Sequence, residues 1–312
     1  MENKIKGLHH ITAIAGDAKK NYDFYSRVLG LRLVKKTVNF DDPETYHFYY
    51  GNEVGTPGTI LTFFPWSGIA IGRRGTRQVT EIGYAVPDGS LDFWLKRFEE
   101  QNVTYNKPAE KFGEQYLTFL DPDGLKIELT VPQVADQRVP WTTAEVGQSV
   151  ATRGFHHITI TTNKMEATVK VLTELLGYRL LQQEVNRYRF ITDTVTEANL
   201  VDVVEVPGEH VGHVAGGSVH HVAFRVENEE VLMHYREKAL EAGLQITEKI
   251  DRNYFYSLYF REPGGVLFEI ATDNPGFTVD ESVDQLGLGL KLPQQYEPYR
   301  EQLEKVLPSL AW

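Results

Sequence analysis

Three adjacent histidine pairs, His9–His10, His156–His157 and His220–His221, stand in blocks of the same form: GLHHITAI at 7–14, GFHHITIT at 154–161 and SVHHVAFR at 218–225. Two glutamates, Glu128 in LKIELT and Glu269 in VLFEIAT, sit inside apolar strand-like runs. Imidazole and carboxylate are the side chains with which a chain can hold a divalent ion when it has no thiolate. A carboxylate inside an apolar run needs a cation or donors, because burying it bare is costly. A single histidine at a strand start is more often a hydrogen-bonded core residue than a ligand. Three pairs at matching points of a repeat, with an acid at a matching strand, point to metal.

Counting those ligands by segment narrows the choice. The first segment offers His10, the second Glu128, the third His157, and the fourth both His221 and Glu269. Joining the fourth to the first makes His10, His221 and Glu269; joining it to the third makes His157, His221 and Glu269. Joining the first to the second, or the second to the third, supplies just two ligands, too few for a tight site. Either triple is two histidines and one carboxylate, the facial set that leaves neighbouring positions open on non-haem iron(II). Manganese(II) and zinc(II) accept the same donors, so the ligands alone do not select the metal.

The elements that must place these residues repeat four times. TEIGYAV at 80–86 is a degenerate fourth copy of the histidine-bearing block. Each block is a short strand pattern, and a helical pattern follows it: NYDFYSRVLG, LDFWLKRFEEQ, TVKVLTELLG and VLMHYREKALEAG. Further strand-like runs complete each unit, among them YHFYYG and YFYSLYF. LDPDGLKIELT at 120–130 matches FREPGGVLFEIAT at 260–272 around a tight turn, so Glu128 and Glu269 are equivalent. The fold class expected is α+β, four βαβββ modules at 1–70, 78–135, 152–207 and 216–273 with a tail at 274–312. The tail has no fifth copy and is expected to cover a sheet or an interface. Its GLG at 287–289 lacks the third glycine and the strand-to-helix setting of a dinucleotide loop.

Composition sets limits on function. The 312 residues are 41% hydrophobic and 24% charged, the balance of a soluble globular protein. With no cysteine, disulfides and thiolate-held zinc or iron–sulfur centres are excluded. A formal charge of -11 opposes nucleic-acid binding. Arg73, Arg74 and Arg77 make only a short basic cluster beside glycines, which reads as a solvated loop. His210 and His213 lie in a glycine-rich connector. No run of eighteen apolar residues would span a bilayer, and the start MENKIKGLHH lacks the apolar stretch of a signal peptide, so a cytoplasmic protein is expected. A homo-oligomer is compatible with all of this.

The chain resembles the vicinal oxygen chelate superfamily, and within it the hydroquinone ring-cleaving dioxygenases, of the dichlorohydroquinone 1,2-dioxygenase type and the methylhydroquinone-induced bacterial type. The resemblance rests on LHHITAI at 8–14, YHFYYGNEVGTPGTILTFFPW at 46–66, KFGEQYLTFLDPDGLKIEL at 111–129, SVHHVAFRV at 218–226 and DRNYFYSLYFREPGGVLFEIATD at 251–273. It implies two cupped mixed sheets. It implies that modules one and four hold iron(II) through His10, His221 and Glu269, with manganese(II) the second choice of metal. It also places His9, Thr12, His220, Arg252 and Tyr259 around the substrate. Strand alternation puts His9 on the face opposite His10, so an irregular strand entrance is needed for His9 to reach a substrate. The implied reaction is extradiol-type cleavage of a hydroquinone-like or catechol-like ring by dioxygen, in aromatic degradation or detoxification. A glyoxalase-like isomerase or thiol transferase is the rival enzyme, disfavoured because module one ends in ILTFFPW without an acid. A non-catalytic aromatic- or drug-binding protein is the rival of another class, disfavoured by the intact ligands.

Overall fold

The computed structural model describes residues 3–310. Sixteen strands fall into four runs of four. The first run is β1 (Leu8–Ala15), β2 (Arg32–Val38), β3 (Tyr46–Gly51) and β4 (Ile60–Pro65). The second is β5 (Gln78–Ala85), β6 (Ala109–Lys111), β7 (Glu114–Leu120) and β8 (Lys126–Thr130). The third is β9 (Gly154–Thr162), β10 (Arg179–Glu184), β11 (Arg187–Ile191) and β12 (Leu200–Glu205). The fourth is β13 (Val219–Val226), β14 (Ile250–Asp251), β15 (Phe255–Arg261) and β16 (Leu267–Pro275). One helix follows the first strand of each run: α1 (Ala18–Asp23), α2 (Leu91–Glu100), α3 (Glu166–Lys170) and α4 (Glu229–Glu241). α1 and α3 each continue into one wider π-helical turn, Phe24–Val28 and Val171–Leu175.

Two curled mixed sheets of eight strands result, ordered β14-β15-β16-β13-β1-β4-β3-β2 and β10-β11-β12-β9-β5-β8-β7-β6. The outer runs of the chain therefore share one sheet and the inner runs the other. At the centre of the first sheet β1 pairs antiparallel with β13, and each is flanked by a parallel neighbour, β4 and β16. Central strands are covered on both faces, which is why LHHITAIA is buried at all eight positions.

The apolar core lies between the helices and the outer faces of the sheets. In α2, Leu91, Trp94 and Phe98 are buried, the spacing of one helical stripe. In α4 the stripe is Val231, Leu232, Tyr235 and Ala239, and the Asn228 side chain caps the helix by accepting from the Val231 N–H at 3.1 Å. Alternation divides each strand between this core and the inside of the cup. Phe48 and Tyr50 of β3, and Leu258 and Phe260 of β15, join the core, whereas His47, Tyr49, Phe255 and Tyr259 face inward.

The tail runs along the first sheet. Its Leu290 bridges to Lys36 on β2, and Lys35 reaches Asp280 at 2.5 Å and also Glu281. Leu303 and Leu307, the former on α5 (Arg300–Val306), are buried in the core. Gly287 of the GLG triplet has φ +77° and lies so close to β2 that a Cβ would stand 1.8 Å from the Leu33 carbonyl oxygen. That glycine serves a backbone crossing, not a phosphate. The connectors also meet each other: Arg73 bridges to His213 and Ile71 to Gly216. No helix among the described residues is long and apolar enough to cross a membrane.

Candidate metal centre and active site

The register of the first sheet brings three side chains to one point. His10 lies opposite Ala223, Ala223 lies opposite Glu269, and His221 stands two residues from Ala223 on the same face. The small Ala223 leaves the space above it to its neighbours. His10 Nε2 is 3.1 Å from Glu269 Oε2, and His221 Nε2 is 3.0 Å from the same oxygen. All three residues are buried, and their ligand atoms lie within 4.8 Å of one another, the one such group of three among the described residues.

Hydrogen bonds behind these atoms set which lone pairs are free. The Thr272 carbonyl can only accept, so at 3.0 Å it takes the Nε2 proton of His9. With one proton per ring, His9 Nδ1 then accepts from His10 Nδ1 at 2.9 Å, and the His10 Nε2 lone pair is left facing Glu269. His220 and His221 touch through the same Nδ1–Nδ1 contact at 2.8 Å. A bare His221 Nε2 likewise leaves the remaining proton of His220 on its Nε2. On the acid, the Ser257 hydroxyl donates to Oε1. Glu269 Oε2 and His221 Nε2 are buried without a hydrogen-bond partner. A cation between them would satisfy these converging orphaned acceptors, so the residues fit a divalent metal that two imidazoles and one carboxylate would hold.

Electrostatics agree with that donor set. Burial alone would raise the Glu269 carboxyl, but positive charge placed at the His10 and His221 nitrogens outweighs it and holds the acid well below its usual range, so this point of the cup favours an ionised carboxylate wherever a cation meets it. Burial lowers His221 despite the opposing pull of Glu269, which favours the neutral ring that can donate a lone pair. Burial, with help from His221 and Arg261, depresses His220 to about 4.

Above the three ligands opens a cavity of about 390 Å³. Phe40, Phe64, Trp66 and Phe255 give it flat apolar walls, and the Trp66 indole N–H is held by Asp42 at 2.8 Å. One cation faces it: Arg252, whose Nε donates to the Tyr259 hydroxyl at 3.1 Å and whose guanidinium lies 5.6 Å from the Phe40 ring centre. Burial and Glu269 push the Tyr259 phenol upward, so it remains a proton donor. A polar chain crosses the opposite wall. The Tyr49 hydroxyl bonds His47 Nδ1 at 2.9 Å, His47 Nε2 bonds Thr62 Oγ1 at 2.9 Å, and Thr62 bonds Thr12 Oγ1 at 2.8 Å. Burial, and then the neighbouring His10 and His221, keep His47 well below its usual value and neutral.

The model of the Glyoxalase/Bleomycin resistance protein/Dioxygenase superfamily matches residues 7–129 and 154–270. The chain belongs to that superfamily. A Bacillus subtilis (strain 168) protein with the provisional name ring-cleaving dioxygenase MhqO is 45% identical over 309 residues, covering 98% of this chain and 97% of the relative. The chlorohydroquinone/hydroquinone 1,2-dioxygenase of Sphingobium indicum is 36% identical, with 98% and 97% covered. The crystal structure of a protein from Bacillus subtilis, provisionally described as a dioxygenase, superposes with a TM-score of 0.95 at 44% identity, covering 99% of this chain and 98% of that one. A glyoxalase I variant from Zea mays superposes at 0.65 with 16% identity over 86% of this chain and 92% of its own, which shows the fold alone.

Within this superfamily member, Thr12, His220, Arg252 and Tyr259 all line the cavity with His10 and His221. His9 does not. A register irregularity between Leu8 and His10 turns it inward, but it ends buried behind His10, 5.1 Å from the Phe255 ring and bonded to Thr272. Its geometry lets it orient His10 rather than touch a ligand in the cavity. His157, the alternative to His10, lies in the other sheet beside Glu128, at 3.3 Å. Sequence reading missed His47 and Thr62. Strand parity in YHFYYG, with core aromatics at Phe48 and Tyr50, is the signal that would have exposed His47.

Proposed function

We propose that the chain is an iron(II)-dependent ring-cleaving dioxygenase acting on hydroquinone-like or catechol-like aromatics, in their degradation or detoxification. The modules at 1–70 and 216–273 build its active cup. The observation that carries this reading is the meeting of His10, His221 and Glu269, with orphaned lone pairs, at the floor of a flat aromatic cavity that holds a single guanidinium. The names of relatives at 36–45% identity over nearly the full chain support the same reaction class. The redox chemistry of ring opening would come from iron(II) held by those three side chains.

The chain's own residues do the rest. Phe40, Phe64 and Phe255 clamp the planar ring and exclude water. Arg252 binds a phenolate oxygen and stabilises negative charge that grows on it. Tyr259 accepts from Arg252 and so presents its own O–H to the substrate, while His220 presents its Nε2 proton; both can exchange protons with substrate oxygens. His9 acts through His10 by holding the ring in one tautomer. The polar chain from Tyr49 ends at Thr12; with Tyr49 as donor at its far end, each link donates onward and the Thr12 hydroxyl hydrogen is the one left for the cavity.

Anaerobic reconstitution with iron(II), followed by oxygen uptake on adding methylhydroquinone, tests the proposal. One iron per chain with stoichiometric oxygen consumption is the expected result. Bound zinc or nickel with thiol-dependent isomerase turnover, or no metal at all, would overturn it. Thr62→Val keeps the shape of its side chain but cuts the chain to Thr12. It is expected to lower kcat/KM by about tenfold, the worth of one oriented hydrogen bond, with bound iron unchanged. Steady-state kinetics alongside metal analysis check this.

A further inference from the structure

The second sheet repeats the geometry of the first and places a different cation at its centre. β5 pairs with β8 so that Gly83 faces Glu128, just as Ala223 faces Glu269. His157 faces Gly83 as His10 faces Ala223. Two residues before Gly83 stands Glu81, in the place of His221. Thr159 pairs with Asp202 as Thr12 pairs with Thr62, so Asp202 holds the place of Thr62. The edge hairpins match as well. Ala109 faces Tyr116, which faces Thr130, and Ile250 faces Ser257, which faces Ala271. Lys111 therefore corresponds to Arg252. The inner cup thus carries one imidazole and three carboxylates at positions where the outer cup carries His10, Glu269, His221 and Thr62.

These groups converge on a lysine. Lys111 Nζ contacts Glu128 Oε2 directly and lies 3.9 Å from Glu81 Oε2. His157 Nε2 is 3.3 Å from the same Glu128 oxygen and 3.9 Å from Asp202 Oδ2. His157 is wholly buried, and its Nε2 has no hydrogen-bond partner. That lone pair is aimed at the acid, as those of His10 and His221 are. The remaining charges are matched: Glu81 meets Lys126 and Arg187, Asp202 meets Arg187 and Arg189, and Glu114 meets Arg189 and His156. Glu81 thus has cations besides Lys111, whereas among the described ion pairs Glu128 meets no Lys or Arg other than Lys111.

We propose that the inner cup is a divalent-metal site whose cation is supplied by the chain itself as the Lys111 ammonium, so that shortening Lys111 opens a second metal site at His157 and Glu128, flanked by Asp202 and Glu81. The reasoning is one of charge and lone pairs. Without Lys111 a buried carboxylate and a buried imidazole nitrogen face each other uncompensated, the condition that draws a divalent ion. The tethered ammonium meets the charge requirement at no entropic cost of capture, which lets the inner cup fold independently of metal supply.

The test uses the full-length chain. Wild type and Lys111→Ala are stripped with chelator, dialysed against zinc(II) and counted by atomic emission. Lys111→Ala is expected to bind one zinc more than wild type. The extra zinc should disappear in the Lys111→Ala/Glu128→Gln double variant. Zinc should also raise the melting temperature of Lys111→Ala by roughly 5–10 °C more than that of wild type. A zinc count equal to wild type, or an extra zinc that survives loss of Glu128, overturns the proposal. Should the alanine variant fail to fold, Lys111→Ser, which leaves a hydroxyl and room for an ion, is measured in the same way. An unchanged zinc count in that variant overturns the proposal as well.

Discussion

Glu269→Gln is expected to lose both bound iron and turnover, with kcat/KM reduced by at least about 10³-fold. The amide has nearly the volume of the acid and keeps an oxygen for the Ser257 hydroxyl. What it removes is the anionic oxygen on which both histidines converge. Two neutral imidazoles without a carboxylate grip a hard divalent ion poorly. The stabilisation that iron(II) confers on the folded chain, about 4 kcal/mol at a thousand times its Kd, should vanish with it. Metal analysis, oxygen uptake and melting temperature with and without iron(II) check all three effects. His157→Ala provides the contrast: that residue belongs to the inner cup, so bound iron should be unchanged. A Glu269→Gln enzyme that retained its iron and its activity would remove the basis of the proposed function.

Arg252→Leu is the second large effect. It keeps an apolar stem but withdraws the one cation that faces the cavity, and kcat/KM for a hydroquinone should fall by about 10²–10³-fold, or 2.7–4 kcal/mol. Iron content should not change, because Arg252 bonds Tyr259 and not a ligand. Tyr259→Phe should cost about tenfold by losing one hydroxyl donor. Since the two groups are bonded at 3.1 Å, the double variant should lose less than the sum of the single losses. Kinetics of the three variants decide the matter, and an Arg252→Leu enzyme within a few-fold of wild type would show that anion binding lies elsewhere.

Much of the site was legible because it is repeated. The histidine pairs and the two acids occupy equivalent points of successive modules, and repetition separates a pattern from a chance histidine. Thr12 could be placed beside His10 because side chains two apart in a strand share a face. Parity also explains a misplacement. His9 was expected near the substrate, but the irregular entrance to β1 folds it behind His10 instead, where Thr272 and Phe255 hold it. His47 lay hidden because a polar residue among strand aromatics reads equally well as core. Only the packing of α1 and its π-helical turn on β3, where Tyr50 bonds Asn21 and lies against the Tyr25 ring, decides which face of β3 is covered.

By itself, the sequence determined the α+β class, the candidate ligand types and the absence of any thiolate alternative. Those follow from local pattern and composition, which every stretch of chain carries within itself. Which histidine lies beside His221 is a matter of pairing between strands more than 200 residues apart, and the register of β1 against β13 brings His10 there. The same holds for the opposite fates of the two cups. Glu128 and Glu269 lie in almost identical local sequences, yet one faces an ammonium and the other two bare imidazoles. The difference comes from what the neighbouring strands bring across the sheet, and no local pattern encodes that.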